Sequence, residues 1–163
     1  MANALVEALA AGGVDFVAAF ASSGMSKSQQ LVEKDPRFQV VFPSNEGEGM
    51  AICAGAYLAG RRPAILMENS GFLLSAYQLM RLHAANEIPV LMVLDHRGGF
   101  GEGNWWAVPL GWSTEPALDA LRIPHAMADT AADVARLLPR MVKSMLHTKV
   151  PCCLILRRGI ELE

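Results

Sequence analysis

Residues 43–60 read PSNEGEGMAICAGAYLAG, with two glutamates set among glycines at the head of an otherwise apolar segment of small residues. The pattern predicts a helix from about Glu46 to Ala59, although Gly47 and Gly49 each cost about 1 kcal/mol relative to alanine inside one. Asn45 or Ser44 can cap it, and Glu48, three residues after Asn45, completes a capping box in which both acids favour the positive helix end. That accounts for Glu48. It leaves unexplained why Gly47, Gly49, Ala51, Ala54, Gly55 and Ala59 keep the helix slim, since small residues serve close approach by another backbone or a flat ligand.

On either side of this segment, helical periods alternate with short apolar runs. A helix NALVEALAAGG precedes a buried strand VDFVAAF, and a helix SKSQQLVEKD stopped before Pro36 precedes a strand RFQVVF. Downstream come strand PAILM, a long helix FLLSAYQLMRLHAANE, strand PVLMVLD and a loop HRGGFGEGNWWAVPLG. Helix TEPALDAL, a short strand near IPHAM, helix TAADVARLLPRMVKSMLHT with Pro139 inside it, and strand PCCLILR close the chain. This alternation predicts an α/β fold over residues 1–163, a single three-layer α/β/α domain with a mostly parallel sheet of about six strands. Ligands of such sheets gather at the carboxyl ends of the strands. There this sequence carries ASSGMSKS, PSNEGEG, ENSG and DHRGGFGEGN, four polar, glycine-bearing loops expected to meet on one rim.

The chain has 163 residues, 52% hydrophobic and 18% charged, with a formal charge of -2. Scattered basic residues exclude an electrostatic footprint for nucleic acid, and the apolar surplus predicts a subunit interface. No charged leader and no long apolar window is present, so a cytoplasmic protein without a membrane span is expected. Cys53, Cys152 and Cys153 show no metal spacing and read as reduced, buried thiols. In GMSKS the serines read as a helix N-cap, for the phosphate-loop glycines are missing, as is any GxSxG nucleophile motif. His83 and His147 read as solvent-edge helix residues. His96, directly after a strand, reads as lining a site.

The stretch NEGEGMAICAGAYLAGRRPAILMENSG, with the later PVLMVLDHRGGFGE, resembles the pyrimidine-binding domain of thiamine diphosphate enzymes, and within them sulfopyruvate decarboxylase α subunits and the matching half of phosphonopyruvate decarboxylases. The family pattern is an acid followed nine residues later by glycine, then a strand ending in Asn-Ser-Gly. Glu46, nine before Gly55, takes the acid position. The resemblance implies that Glu46 hydrogen-bonds the cofactor's pyrimidine N1′, that Asn69, Ser70 and Gly71 line the cofactor, and that Ser23, His96 and Arg97 face the substrate. It implies a 2-oxo acid decarboxylase subunit, with carboligation or a non-catalytic scaffold of the same fold as alternatives. No Gly-Asp-Gly occurs here. The resemblance therefore implies a hetero-oligomer in which a diphosphate-binding partner subunit carries that motif and holds Mg2+, with no metal ligand on this chain. The sequence departs from its relatives in SGFLLS and in Glu68, an acid that would repel an anionic substrate unless paired. Arg97 can pair with Glu102.

Overall fold

The computed structural model describes residues 3–162. Its core is one six-stranded sheet in the order β2-β1-β3-β4-β6-β5, with every neighbouring pair parallel. The strands are β1 (Phe16–Ala19), β2 (Gln39–Val41), β3 (Pro63–Glu68), β4 (Leu91–Asp95), β5 (His125–Ala128) and β6 (Cys152–Leu156). The α-helices are α1 (Ala4–Gly12), α2 (Ser26–Lys34), α3 (Glu46–Leu58), α4 (Asn69–Gln78), α5 (Val108–Ala120) and α6 (Ala131–Thr148). The expected three-layer architecture is what forms.

Strand side chains alternate between two cores. Val17, Leu66, Val93 and Leu154 join Leu5 and Leu9 of α1, Val32 of α2 and Leu138 of α6 on one face. Ala18, Met67, Met92 and Ile155 join Met50 of α3, Phe72 of α4 and Leu118 of α5 on the other. The adjacent Cys152 and Cys153 fall one into each core, and both are free and buried. Burial pushes the Cys53 and Cys152 thiols up to about 12, so they stay protonated at neutral pH.

Four local expectations are corrected. The Asn-Ser-Gly segment is the first turn of α4, and the long helix continues as a π-helical turn, Leu79–His83, and a 3-10 turn, Ala84–Asn86. Helix α5 begins at Val108, inside the predicted loop, because Pro109 suits a helix's first turn and Gly111 admits the backbone of Gly98. The N-cap of α2 is Met25 and makes no side-chain cap hydrogen bond, so the serines do not cap it. His83 is fully buried, not at a solvent edge, with Nδ1 3.0 Å from Ile88 O and Nε2 2.9 Å from Met50 O. His147 is exposed as expected. Among the described residues no helix is long and apolar enough to cross a membrane.

Candidate active site

Helix α3 starts where β2 ends. The Asn45 side chain accepts from the Glu48 N–H at 2.9 Å, and the Glu48 carboxylate accepts from the Ser44 N–H and the Ser44 hydroxyl, both at 2.6 Å. The cap box is therefore closed on Ser44, and those bonds hold the Glu48 carboxyl below its ordinary range. Glu46, one turn-face away, makes no hydrogen bond or ion pair among the described residues and is half-buried. Its side chain lies over Gly71 of α4, where an added Cβ would stand 2.5 Å from Glu46 Cγ and 2.7 Å from Oε1. Of the two acids on this turn, Glu48 is engaged by the cap and Glu46 is not.

The slim face of α3 divides. A Cβ at Gly47 would meet Gln78 at 2.7 Å and one at Gly49 would meet the Phe20 ring at 2.8 Å, so these glycines admit neighbours within the chain. Gly55 has nothing within 4 Å. Ala51 and Leu58, four before and three after it on α3, are exposed, Leu58 to 73%, and on α4 so are Leu74 at 66% and Tyr77 at 71%.

The loop after β4 is tied to α4. Asn69, fully buried, donates to Arg97 O and Thr114 Oγ1, both at 2.9 Å, and accepts from the Arg97 N–H at 3.1 Å. Arg97 is buried and pairs with Glu102 as the sequence allowed, its guanidinium 2.9 Å from Glu102, 3.4 Å from Glu68 and 5.1 Å from the centre of the Trp106 ring. Glu102 also accepts from the Asn104 and Gly98 N–H groups, and Arg97 foremost lowers its carboxyl to about 2. The acid at position 68 is thereby paired. His96 is buried at the rim and its ring has no hydrogen-bond partner among the described residues, while Ser70 is half-buried and Ser23 exposed.

Sequence reasoning missed Asp95. This carboxylate, 2% exposed at the end of β4, accepts from the Ser22 hydroxyl at 2.6 Å and the Gly24 N–H at 2.9 Å, with Arg158 3.9 Å away. It clips the first loop to the fourth. An acid ending an otherwise apolar strand was the available signal. Glu46 lies over Gly71, two residues after Asn69, and Asn69 and Glu68 both contact Arg97, whereas Ser23 and His96 are only chain neighbours of the bonded Gly24 and Asp95. Among the described residues no three acids, histidines or cysteines lie together as a metal site.

Comparison with known proteins gives the family. Sulfopyruvate decarboxylase subunit alpha of Methanocaldococcus jannaschii is 31% identical over 152 residues, covering 93% of this chain and 90% of that one. The chain belongs to the sulfopyruvate decarboxylase α-subunit family. The Methanothermobacter thermautotrophicus subunit alpha is 32% identical over 144 residues, covering 88% and 87%. Phosphonopyruvate decarboxylase of Streptomyces viridochromogenes is 27% identical, covering 96% of this chain but 40% of its own length. The fold is shared with 2-oxoglutarate:ferredoxin oxidoreductase from Magnetococcus marinus at a TM-score of 0.75 and 15% identity, over 96% of this chain and 28% of that one. No family model matches the sequence.

Proposed function

We propose that this chain is the pyrimidine-binding subunit of a thiamine diphosphate-dependent decarboxylase of anionic 2-oxo acids, sulfopyruvate being the substrate in its relatives' names. The observation that carries the reading is the unpartnered Glu46 carboxylate beside Gly71, on the same turn as a Glu48 already spent on the cap. When bound, the cofactor supplies an electron sink for the bond that breaks as carbon dioxide leaves. Half-buried Glu46 would be the residue of this chain to hydrogen-bond the pyrimidine N1′ and share a proton with it. Gly71 leaves the room this side chain needs, Ser70 offers a hydroxyl beside it, and Asn69 holds the Arg97 segment at a fixed distance from it.

On the substrate side, His96 presents an uncommitted imidazole and Ser23 a hydroxyl. Arg97 contacts the substrate carboxylate through the N–H groups that Glu68 and Glu102 leave open, and its larger effect is to neutralise Glu68 at the rim. The apolar face of Ala51, Gly55, Leu58, Leu74 and Tyr77 takes the partner subunit, which carries Gly-Asp-Gly and holds Mg2+. A titration calorimeter tests the division of labour. Thiamine diphosphate and magnesium give little heat with this chain alone and saturable heat once the partner is added; tight binding by the single chain would refute it.

A further inference from the structure

We propose that Thr114 of α5 is a positioning residue for the substrate side of the site: through Asn69 it fixes the stretch of backbone that presents His96 and Arg97. Thr114 and Asn69 are both fully buried. The Thr114 hydroxyl has one proton and donates it to Leu110 O, one turn back along α5, at 2.6 Å. Toward Asn69 it therefore presents lone pairs alone, and the group it faces must be a donor. The Asn69 Nδ2 group meets it at 2.9 Å. With the nitrogen turned that way, the second Nδ2 proton goes to Arg97 O at 2.9 Å and Oδ1 takes the Arg97 N–H at 3.1 Å. The opposite orientation of the amide would set N–H against N–H at Arg97, and lone pair against lone pair at Thr114 and at Arg97 O. Thr114 thus favours the one orientation in which Asn69 grips both peptide groups of Arg97.

Packing sets the same segment against a fixed wall. Gly98 has φ +86°, and a Cβ there would stand 2.6 Å from Gly111 N, so the chain after Arg97 touches α5 backbone to backbone. On the side of β6, the His96 N–H donates to Leu156 O at 3.0 Å. Residues 96–98 are thereby pinned from β6, from α4 and from α5, and Thr114 orients the side chain that carries the middle tie. That tie holds the backbone from which the Arg97 guanidinium reaches Glu102 and Glu68. Without the Thr114 hydroxyl a buried Asn69 N–H loses its acceptor, and the amide turns or shifts to find another. Glu46 over Gly71 is not part of this tie, because that seat is built from α3 and the first turn of α4. The role toward substrate rests on the decarboxylase reading; the tie itself does not.

Hydrogen exchange at the Arg97 amide, read by nitrogen-15 NMR on the chain alone, tests the tie. Thr114→Val keeps the shape and removes the acceptor, so exchange at Arg97 rises about three- to tenfold, the worth of one neutral hydrogen bond, while amides of β1 and β2 keep their native rates. Thr114→Ser returns the hydroxyl and restores native exchange. Thr114→Ala set against Thr114→Ser isolates the same hydroxyl should the valine variant not fold. Native exchange without the hydroxyl, or exchange raised as much by serine as by valine, would overturn the tie. In the assembled enzyme the valine variant raises KM for an anionic 2-oxo acid about three- to tenfold with kcat near native, and serine restores it. A fall in kcat at native KM would overturn the substrate-side role. The exchange measurement needs neither cofactor nor partner, so a native enzyme inactive on such acids would refute the decarboxylase reading and leave the tie standing.

Discussion

Gly71→Ala separates positioning from stability. A Cβ at this position would stand 2.5 Å from Glu46 Cγ, 2.7 Å from Oε1 and 2.9 Å from Cδ, so one of the two side chains must move. The obstructing atoms belong to a flexible side chain and not to backbone, so Glu46 swings aside at an off-rotamer cost of about 0.5–1.5 kcal/mol. Residue 71 lies in the first turns of α4 at a helical position, where alanine is favoured over glycine by up to about 1 kcal/mol. The two terms nearly cancel, and the melting temperature should move by no more than a few degrees. Displacement of a catalytic carboxyl by about 1 Å, by contrast, costs roughly 100-fold in rate, or about 2.7 kcal/mol of transition-state stabilisation. Thermal unfolding of the chain, and hydrogen–deuterium exchange at C2 of thiamine diphosphate bound to the assembled enzyme, read the two effects separately. Full exchange in the variant would refute the claim that Gly71 seats Glu46. A loss of several kcal/mol in stability would refute the assignment of the clash to a side chain free to move.

Two pH responses follow from the buried ion pair and the buried histidine. Glu102 has its folded-state value lowered from 4.5 to about 2, so the stability it contributes through Arg97 is full above 4.5 and is lost as pH falls toward 2. In the folded chain the carboxyl takes its proton only near pH 2, so tryptophan fluorescence reporting on Trp106 over Arg97 should stay flat from pH 7 to about 3 and change as pH approaches 2; Glu102→Gln should remove that acid transition, and a transition surviving in the variant would contradict the assignment. Burial holds His83 below its ordinary 6.5, so the unfolded chain takes the proton first and stability falls as pH drops from 6.5 toward the folded value. Urea midpoints at pH 8, 6.5 and 5 should show that decline in the native chain and a shallower one in His83→Gln; equal slopes would contradict it.

The sheet was legible because each strand is a short apolar run bracketed by turn residues, and the helices between them impose parallel crossovers. The Asn45–Glu48 cap was legible too, for capping is a local, three-residue relation. Long-range pairing was not. Asn69 meets Arg97 across 28 positions, and Asp95 meets Ser22 across 73, distances at which no sequence period speaks. His83 sits in phase with buried Phe72, Ser75 and Leu79, yet its polarity argued for solvent until Ile88 O or Met50 O, one for each tautomer, supplied an acceptor for its single ring N–H. The start of α5 was hidden because Pro109 and Gly111 read as loop residues, whereas one suits a helix's first turn and the other its contact with Gly98.

The central claim is that Glu46, and not Glu48, activates the cofactor. Its most direct measurement is C2 proton exchange on thiamine diphosphate bound to the assembled enzyme, followed by NMR in Glu46→Gln and Glu48→Gln. Glutamine at 46 cannot share a proton with the pyrimidine, and exchange should fall by about 100-fold or more, within the 10²–10⁴ that a positioned acid–base group contributes. Glutamine at 48 weakens a helix cap by about 1 kcal/mol and should leave exchange near the native rate. Equal loss in both variants, or native exchange in Glu46→Gln, would contradict the account.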